Sequence, residues 1–470
     1  MIKRTLATTF FYLASLSILF AQNKPKYIFY MIGDGMGLNQ VNSTEVYLAD
    51  LENRIGLKPL VFSLFPVATF ASTYSLSNGI TDSAAGGTAL AVGSKTKNGV
   101  IGMDSTQTKP LKSIAYAAKE KGLKVGITTS VSIDHATPAS FYAHQTSRNK
   151  YYEIATDIPK SNFDFFGGSG FLKPNTNAAK ESVTPIFTLF EKSGYTLAFG
   201  KSDYHRLKSK ADKMILINNK DTDPESLKFA IDQKDGDLNL KEITEVAIES
   251  LTKNNDKGFF LMVEGGKIDW SSHSNDAATT LHEVVDFNNS VQVAYDFYLK
   301  HPEETLIIIT ADHETGGITL GNGSSNLNFK ALVNQKVSQG ELSKIITKIR
   351  IEQPKTTWEQ IKNILAENLG LWTKIKVNER QEKAMFQAYE NSFIKHVNAT
   401  EKSLYANDEK LVAEAVKTLN EVANISWASG NHSAGYVPVY AIGAGSELFT
   451  HKMENTDIPK KIAQAAALSL

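Results

Sequence analysis

Five short apolar runs constrain this chain more than any other feature: Lys26–Ile32, Lys124–Thr129, Phe259–Val263, Thr305–Thr310 and Val437–Ile442. They are rich in β-branched and aromatic residues and bounded by glycine or polar clusters. Runs of this kind predict strands covered on both faces, as inside a mostly parallel sheet. Helical segments such as Leu111–Gly122 and Leu238–Lys253 fall between them. The alternation predicts an α/β fold, with a large mostly parallel central sheet flanked by helices on both faces. Ligands in such a fold bind outside the carboxyl ends of the strands.

The residues that follow these runs are therefore the candidates for chemistry. Asp34 follows the first, in Gly33-Asp-Gly-Met-Gly37. His135 and Thr137 follow the second, in Ser132-Ile-Asp-His-Ala-Thr-Pro138, where Thr137 offers a neutral oxygen to a hard cation. Glu264, Asp269 and His273 follow the third, in Glu264-Gly-Gly-Lys-Ile-Asp-Trp-Ser-Ser-His273. Asp269 and His273 are four apart, so one helical turn puts both on one face, where they can share an ion or simply pair. Asp312 and His313 follow the fourth, in Ala311-Asp-His-Glu-Thr-Gly-Gly317. Charged groups at the end of a buried strand need a partner, either a metal or each other. His432 stands between glycines in Ser429-Gly-Asn-His-Ser-Ala-Gly435, before the last run. Arg148 carries a planar fork suited to two oxygens of a phosphate, although an exposed arginine is the simpler reading. His144 is read as making a structural hydrogen bond.

Ile80–Gly102 supplies a nucleophile candidate. Asp82 and Ser83 precede a small-residue run, Ala84–Ala91. That puts a serine hydroxyl at a helix start, where free N–H groups and the positive end of the helix dipole favour attack on an anion. An ordinary capping serine is the alternative.

Composition closes some routes. The chain has no cysteine, so any metal must be held by imidazole and carboxylate. Lys+Arg and Asp+Glu are both 50, which gives no support to a nucleic-acid or membrane-surface binder. Residues 1–21 read as a secretory signal peptide, with a basic start and an apolar run from Phe10 to Phe20. A periplasmic or secreted protein is expected, with no membrane attachment once the signal is removed. Residues 22–470 are then read as a single catalytic domain, with a helical insertion at about 321–424. There Thr357-Trp-Glu-Gln360 has the form of a capping box, Gly370 that of a C-cap, and further helices are expected at Glu379–Lys395 and Asp408–Val422.

Six of these segments occur in the order found in alkaline phosphatases: Gly-Asp-Gly-Met-Gly, Thr-Asp-Ser-Ala-Ala, His-Ala-Thr-Pro, Glu-Gly-Gly-Lys-Ile-Asp-Trp-Ser-Ser-His, Thr-Ala-Asp-His-Glu and Gly-Asn-His. The chain resembles that family from about Lys26 to Gly443. The resemblance implies two Zn²⁺ and one Mg²⁺ per chain. One zinc would be held by Asp269, His273 and His432, the other by Asp34, Asp312 and His313 with Ser83 as its reactive ligand. Asp34 would bridge to the magnesium, completed by Thr137 and Glu264, with His135 beside it. Arg148 matches the phosphate-gripping arginine. Where the best-known enteric bacterial enzymes have Asp and Lys, this chain has His135 and Trp270, a pair that looks like another bacterial branch. Trp270 thus replaces a cation near the phosphate.

The implied activity is exported, metal-dependent hydrolysis of phosphate monoesters through a phosphoserine on Ser83, in a protein expected to be a homodimer. The alternatives are a phosphodiesterase of the same superfamily and a non-catalytic metal- or phosphate-binding protein.

Overall fold

The computed structural model describes residues 24–321, 323 and 326–470; the expected signal peptide lies outside them. Ten strands form one sheet. In chain order they are β1 (Tyr27–Gly33), β2 (Val67–Ser72), β3 (Lys124–Thr129), β4 (Phe165–Gly167), β5 (Tyr195–Phe199), β6 (Lys213–Ile217), β7 (Phe259–Gly265), β8 (Thr305–Thr310), β9 (Val437–Gly443) and β10 (Met453–Glu454). Their spatial order is β10-β2-β9-β8-β1-β7-β3-β4-β6-β5. The five apolar runs are the adjoining strands β1, β3, β7, β8 and β9 in the middle of the sheet, with β7 and β8 buried throughout and β9 only in part. One detail differs. β9 runs antiparallel to both neighbours, β8 and β2. It enters from the His432 loop, at the edge where the parallel strands end.

Register explains why distant motifs meet. Ile32 pairs with both Glu264 and Thr310, and Thr129 also pairs with Glu264. The carboxyl ends of β1, β3, β7 and β8 are therefore level. The residues just beyond them, Asp34 and Asp312 among them, emerge at one edge.

Two helical layers cover the sheet. α1 (Ser83–Val92), α2 (Ile114–Glu120) and a C-terminal helix, α10 (Asp457–Ala466), pack together, with α2 lying on β3 and β7. α3 (Leu240–Thr252), the short α4 (Lys267–His273) and α5 (Ala277–Tyr298) form the other group. Between β8 and β9 come α6 (Gln339–Glu352), α7 (Trp358–Leu369), α8 (Glu379–Tyr389) and α9 (Lys410–Ala423). They build a second buried cluster that includes Ile346, Ile361, Leu365 and Leu419 and rests on Ala277, Ala278 and Leu281 of α5.

The Thr357 capping box is present, and Gly370 ends α7 in the left-handed conformation at φ 73°. The expected helix at Asp408–Val422 begins later than the sequence suggests. Asn407–Glu409 instead pairs antiparallel with Thr400–Lys402 as a small hairpin. Its polar sequence carries no strand signal, and the tertiary anchors of Asp408 and Glu409 decide it. Among the described residues, no helix is long and apolar enough to cross a membrane.

Candidate metal centre and nucleophile

α1 begins at Ser83, but Ser83 is not its cap. Asp82 is: its Oδ1 accepts from Ala85 N–H at 2.9 Å, and its Oδ2 from Gly99 N–H at 2.9 Å. The serine hydroxyl is thus released from capping and, buried at the first helical position, lies in hydrogen-bond contact with His313 Nε2, 3.2 Å away. The small residues of α1 permit this approach. A Cβ on Gly86 would stand 2.8 Å from the Asp312 carbonyl oxygen, and one on Gly87 would stand 3.1 Å from Thr137 Cα.

The singled-out acids and imidazoles converge in three groups that could each hold an ion: Asp269, His273 and His432; Asp34, Asp269 and His313; and Asp34, His135 and Glu264. In the first, α4 places Asp269 and His273 on one face, with His273 Nε2 3.3 Å from Asp269 Oδ1. His273 Nδ1 donates to Gly430 O at 2.7 Å, and His432 Nδ1 donates to Thr81 O at 2.9 Å. Carbonyls can only accept, so both rings turn their Nε2 atoms inward, 3.1 Å apart and facing Asp269. That arrangement needs a positive charge between the three groups. A divalent ion with imidazole and carboxylate ligands fits it.

In the second group, Thr315 carries the same logic. Its hydroxyl donates to Asp269 Oδ1 and so accepts from His313 Nδ1 at 3.2 Å. His313 Nε2 then faces Asp34 Oδ1 at 3.4 Å, Asp312 Oδ2 at 3.3 Å and Ser83 Oγ. Burial, then His432, holds His313 neutral, so these contacts are not ion pairs. In the third, Thr129 donates to Glu264, and Thr137 Oγ1 lies 3.5 Å from Asp34 Oδ2. Gly35 lets the chain close over the site: at φ +70° it comes so near that a Cβ would sit 2.8 Å from Thr315 Oγ1.

The charge balance gives the fit test for metal. Asp34, Glu264, Asp269 and Asp312 are all fully buried. Asp34 Oδ1, Glu264 Oε1, Asp269 Oδ2 and His135 Nδ1 have no hydrogen-bond partner. Burial, reinforced by the other carboxylates, pushes Asp34 far above the ordinary range and Asp312 up to about 7. Burial also pushes Glu264 up to about 8. Burial raises Asp269 too, but His273 and then His432 outweigh it and hold Asp269 well below the ordinary range. Left to itself the cluster would take up protons; divalent cations would take their place.

Arg148 lies at the rim, with Nη1 donating to Asp82 Oδ2 at 3.2 Å and Nη2 facing His135 Nε2 at 3.3 Å. Burial, and then Arg148, hold His135 neutral, down to about 3. Trp270, on α4, stands 5.9 Å from the His135 ring. His144 is away from the cluster, its Nε2 donating to Leu111 O at 3.0 Å. Every site residue singled out in the sequence is thus accounted for. Three that matter were missed: Thr129, Thr315 and Tyr405. The last reaches the site from the insertion and receives a hydrogen bond from Arg148 Nη2 at 2.9 Å. Burial raises its phenol far above the usual range.

Comparison with known proteins agrees with this geometry. The chain is 34% identical to alkaline phosphatase 4 of Bacillus subtilis over 80% of its own length and 75% of that protein's. It is 31% identical to alkaline phosphatase 3 of the same organism, over 94% of this chain and 89% of that one. Among solved structures, a cold-active alkaline phosphatase from a psychrophilic Shewanella superposes with a TM-score of 0.77 at 27% identity, covering 94% of this chain and 99% of that one. The enzyme of the Antarctic bacterium TAB5 gives 0.66 at 26%, covering 96% and 100%. The alkaline phosphatase family profile matches residues 25–168 and 177–468, and the chain belongs to that family.

Proposed function

We propose that the protein is an exported, metal-dependent phosphomonoesterase that works through a phosphoserine on Ser83. The observation that carries this reading is the Ser83 hydroxyl, not used as a cap and buried at a helix start 3.2 Å from His313 Nε2. Two Zn²⁺ and one Mg²⁺ are proposed. Asp269, His273 and His432 would hold one zinc. Asp34, Asp312 and His313, with Ser83, would hold the other. Asp34, Thr137 and Glu264, with His135, would hold the magnesium. A structure of a TAB5 enzyme variant is described with Mg bound in its M3 site, which supports the third assignment. Bound there, the ions supply positive charge for the attacking and leaving oxygens of an in-line displacement.

The side chains divide the remaining work. The Arg148 fork, steadied by Asp82, grips two phosphate oxygens. The amides of the first turn of α1 and the positive end of its dipole favour the incoming anion. Ser83 Oγ forms the new bond to phosphorus as the ester P–O bond breaks and the alcohol leaves with a proton. Water then attacks the phosphoserine from the side that the alcohol vacated, Ser83 is released, and inorganic phosphate departs. The substrate class is small phosphate monoesters, and a homodimer is the proposed assembly.

The test is turnover of p-nitrophenyl phosphate and of its bis-ester, with metal analysis and the Ser83→Ala variant. The monoester should be the better substrate. Two zinc ions per chain should be found, and Ser83→Ala should lower kcat by roughly a thousandfold or more. A preference for the bis-ester, or activity unchanged in Ser83→Ala, overturns the reading.

A further inference from the structure

The insertion sends one side chain into the site. Thr400–Lys402 and Asn407–Glu409 pair as a hairpin whose turn carries Tyr405. Ser403 N–H donates to Ala406 O at 2.9 Å and Ala406 N–H to Ser403 Oγ at 3.1 Å, which keeps the turn tight. Its base is anchored to the machinery below. Asp408 accepts from Ser274 Oγ at 3.0 Å, directly after His273, and from Gln339 Nε2 at 2.8 Å. Glu409 accepts from Arg350 Nη2 at 2.6 Å, and its N–H donates to Ser343 Oγ at 3.0 Å.

Held in this way, the Tyr405 ring lies on Trp270, with centroids 4.6 Å apart and planes 11° from parallel. The His135 and His273 rings each stand 5.5 Å from it, edge-on. Tyr405 thus touches two of the three ligand groups as well as the anion-gripping arginine.

Its hydrogen bonding has a direction. A guanidinium only donates, so the Tyr405 oxygen is the acceptor from Arg148, and its own proton remains to be given. Among the described residues no protein atom accepts that proton. The ligand that Arg148 is built to hold is an oxyanion, and its oxygens are the natural acceptors beside that fork. Trp270 brings no charge to this wall; it supplies a flat surface that fixes the phenol.

We propose that Tyr405 is a phosphate-binding residue, whose O–H donates to a non-bridging oxygen of the group held by Arg148. The hairpin of the insertion is then one wall of the phosphate pocket. This rests on the phosphomonoesterase reading and deepens it.

The experiment compares metal-loaded wild type with Tyr405→Phe, which keeps the ring and removes only the hydroxyl. KM for p-nitrophenyl phosphate and the inhibition constant of inorganic phosphate should both rise roughly tenfold, with kcat kept within twofold. KM for methyl phosphate should rise by the same factor, because the contact is to phosphate and not to the alcohol. Calorimetric titration of inorganic phosphate into Ser83→Ala and into Ser83→Ala with Tyr405→Phe reads the same contact without turnover. Phosphate should bind roughly tenfold more weakly to the double variant. Constants within twofold of the parent, or a fall in kcat with KM unchanged, overturn the proposal. A wild type that hydrolyses no monoester overturns the functional reading instead, while the calorimetric comparison still decides the role of Tyr405.

Discussion

The sheet core and the insertion core meet around one site and serve it differently. β1, β7 and β8 end level, so Asp34, Glu264 and Asp312 are delivered to one edge by strands whose carboxyl ends are fully buried. The insertion buries Ile361, Leu365 and Leu419 in a cluster of its own and reaches the site through the hairpin that bears Tyr405. The proposed ligands Asp34, Glu264 and Asp312 thus stand at rigid strand ends, whereas the wall against Arg148 hangs from polar anchors. Ligand geometry tolerates little error, and a phosphate wall can tolerate more. The two regions should therefore fail in different ways when perturbed.

Stripping the ions with a chelator should have the largest effect, abolishing activity and making stability depend on pH. Asp312, raised to about 7, and Glu264, raised to about 8, both chiefly by burial, would then hold protons in the folded state that the unfolded chain has lost. Unfolded carboxyls titrate near about 4. The stability these two carboxyls contribute is therefore fully present below that pH and is lost as pH rises through 7 to 8, whereas His135 and His313, held neutral by burial, favour the folded state only above the ordinary imidazole range. Thermal unfolding midpoints across pH 5 to 9 check this, and a flat profile after stripping would count against the buried-carboxylate account.

Next in size is Thr315→Val. It removes the hydroxyl that links His313 to Asp269, and zinc affinity in a competition assay should fall about tenfold or more. Asp408→Ala acts on the other region, where it frees the hairpin from Ser274 and Gln339. KM should rise roughly threefold with metal content unchanged, as expected for one or two lost polar contacts. Metal lost together with KM would show that the two regions are not separable. The smallest effect is expected from Trp270→Lys. A cation restored near the phosphate should tighten phosphate inhibition roughly threefold, partly offset by loss of the stack with Tyr405.

Much of this was legible in the chain. Continuous apolar runs mark strands buried on both faces, and five such runs account for the middle of the sheet. β4 and β10 are too short and β2 and β5 too half-exposed to show a sustained pattern, whereas β6, with its buried Met214–Ile217 run, carried the same apolar signal and went unread. The direction of β9 was equally hidden, since burial is the same whichever way a strand runs.

The site divides along the same line. Types of side chain and their local spacing are sequence properties, so Asp269 and His273 one helical turn apart, or Asp312 beside His313, could be named without coordinates. Thr129 and Thr315 look like any strand or turn threonine, and only the register that brings them against Glu264 and Asp269 gives them work. Ser83 was named, but whether it capped the helix or stayed free depended on Asp82 taking that role in space. Tyr405 is the extreme case. It lies 257 residues from Arg148 in a polar stretch without pattern. The sequence alone determined which acids and imidazoles stand beside the inner strands, and those strands themselves, because local chemistry and periodicity encode both. Which hydroxyls orient those side chains, and which aromatic ring closes over them, was decided by long-range packing, which leaves no local trace in the chain.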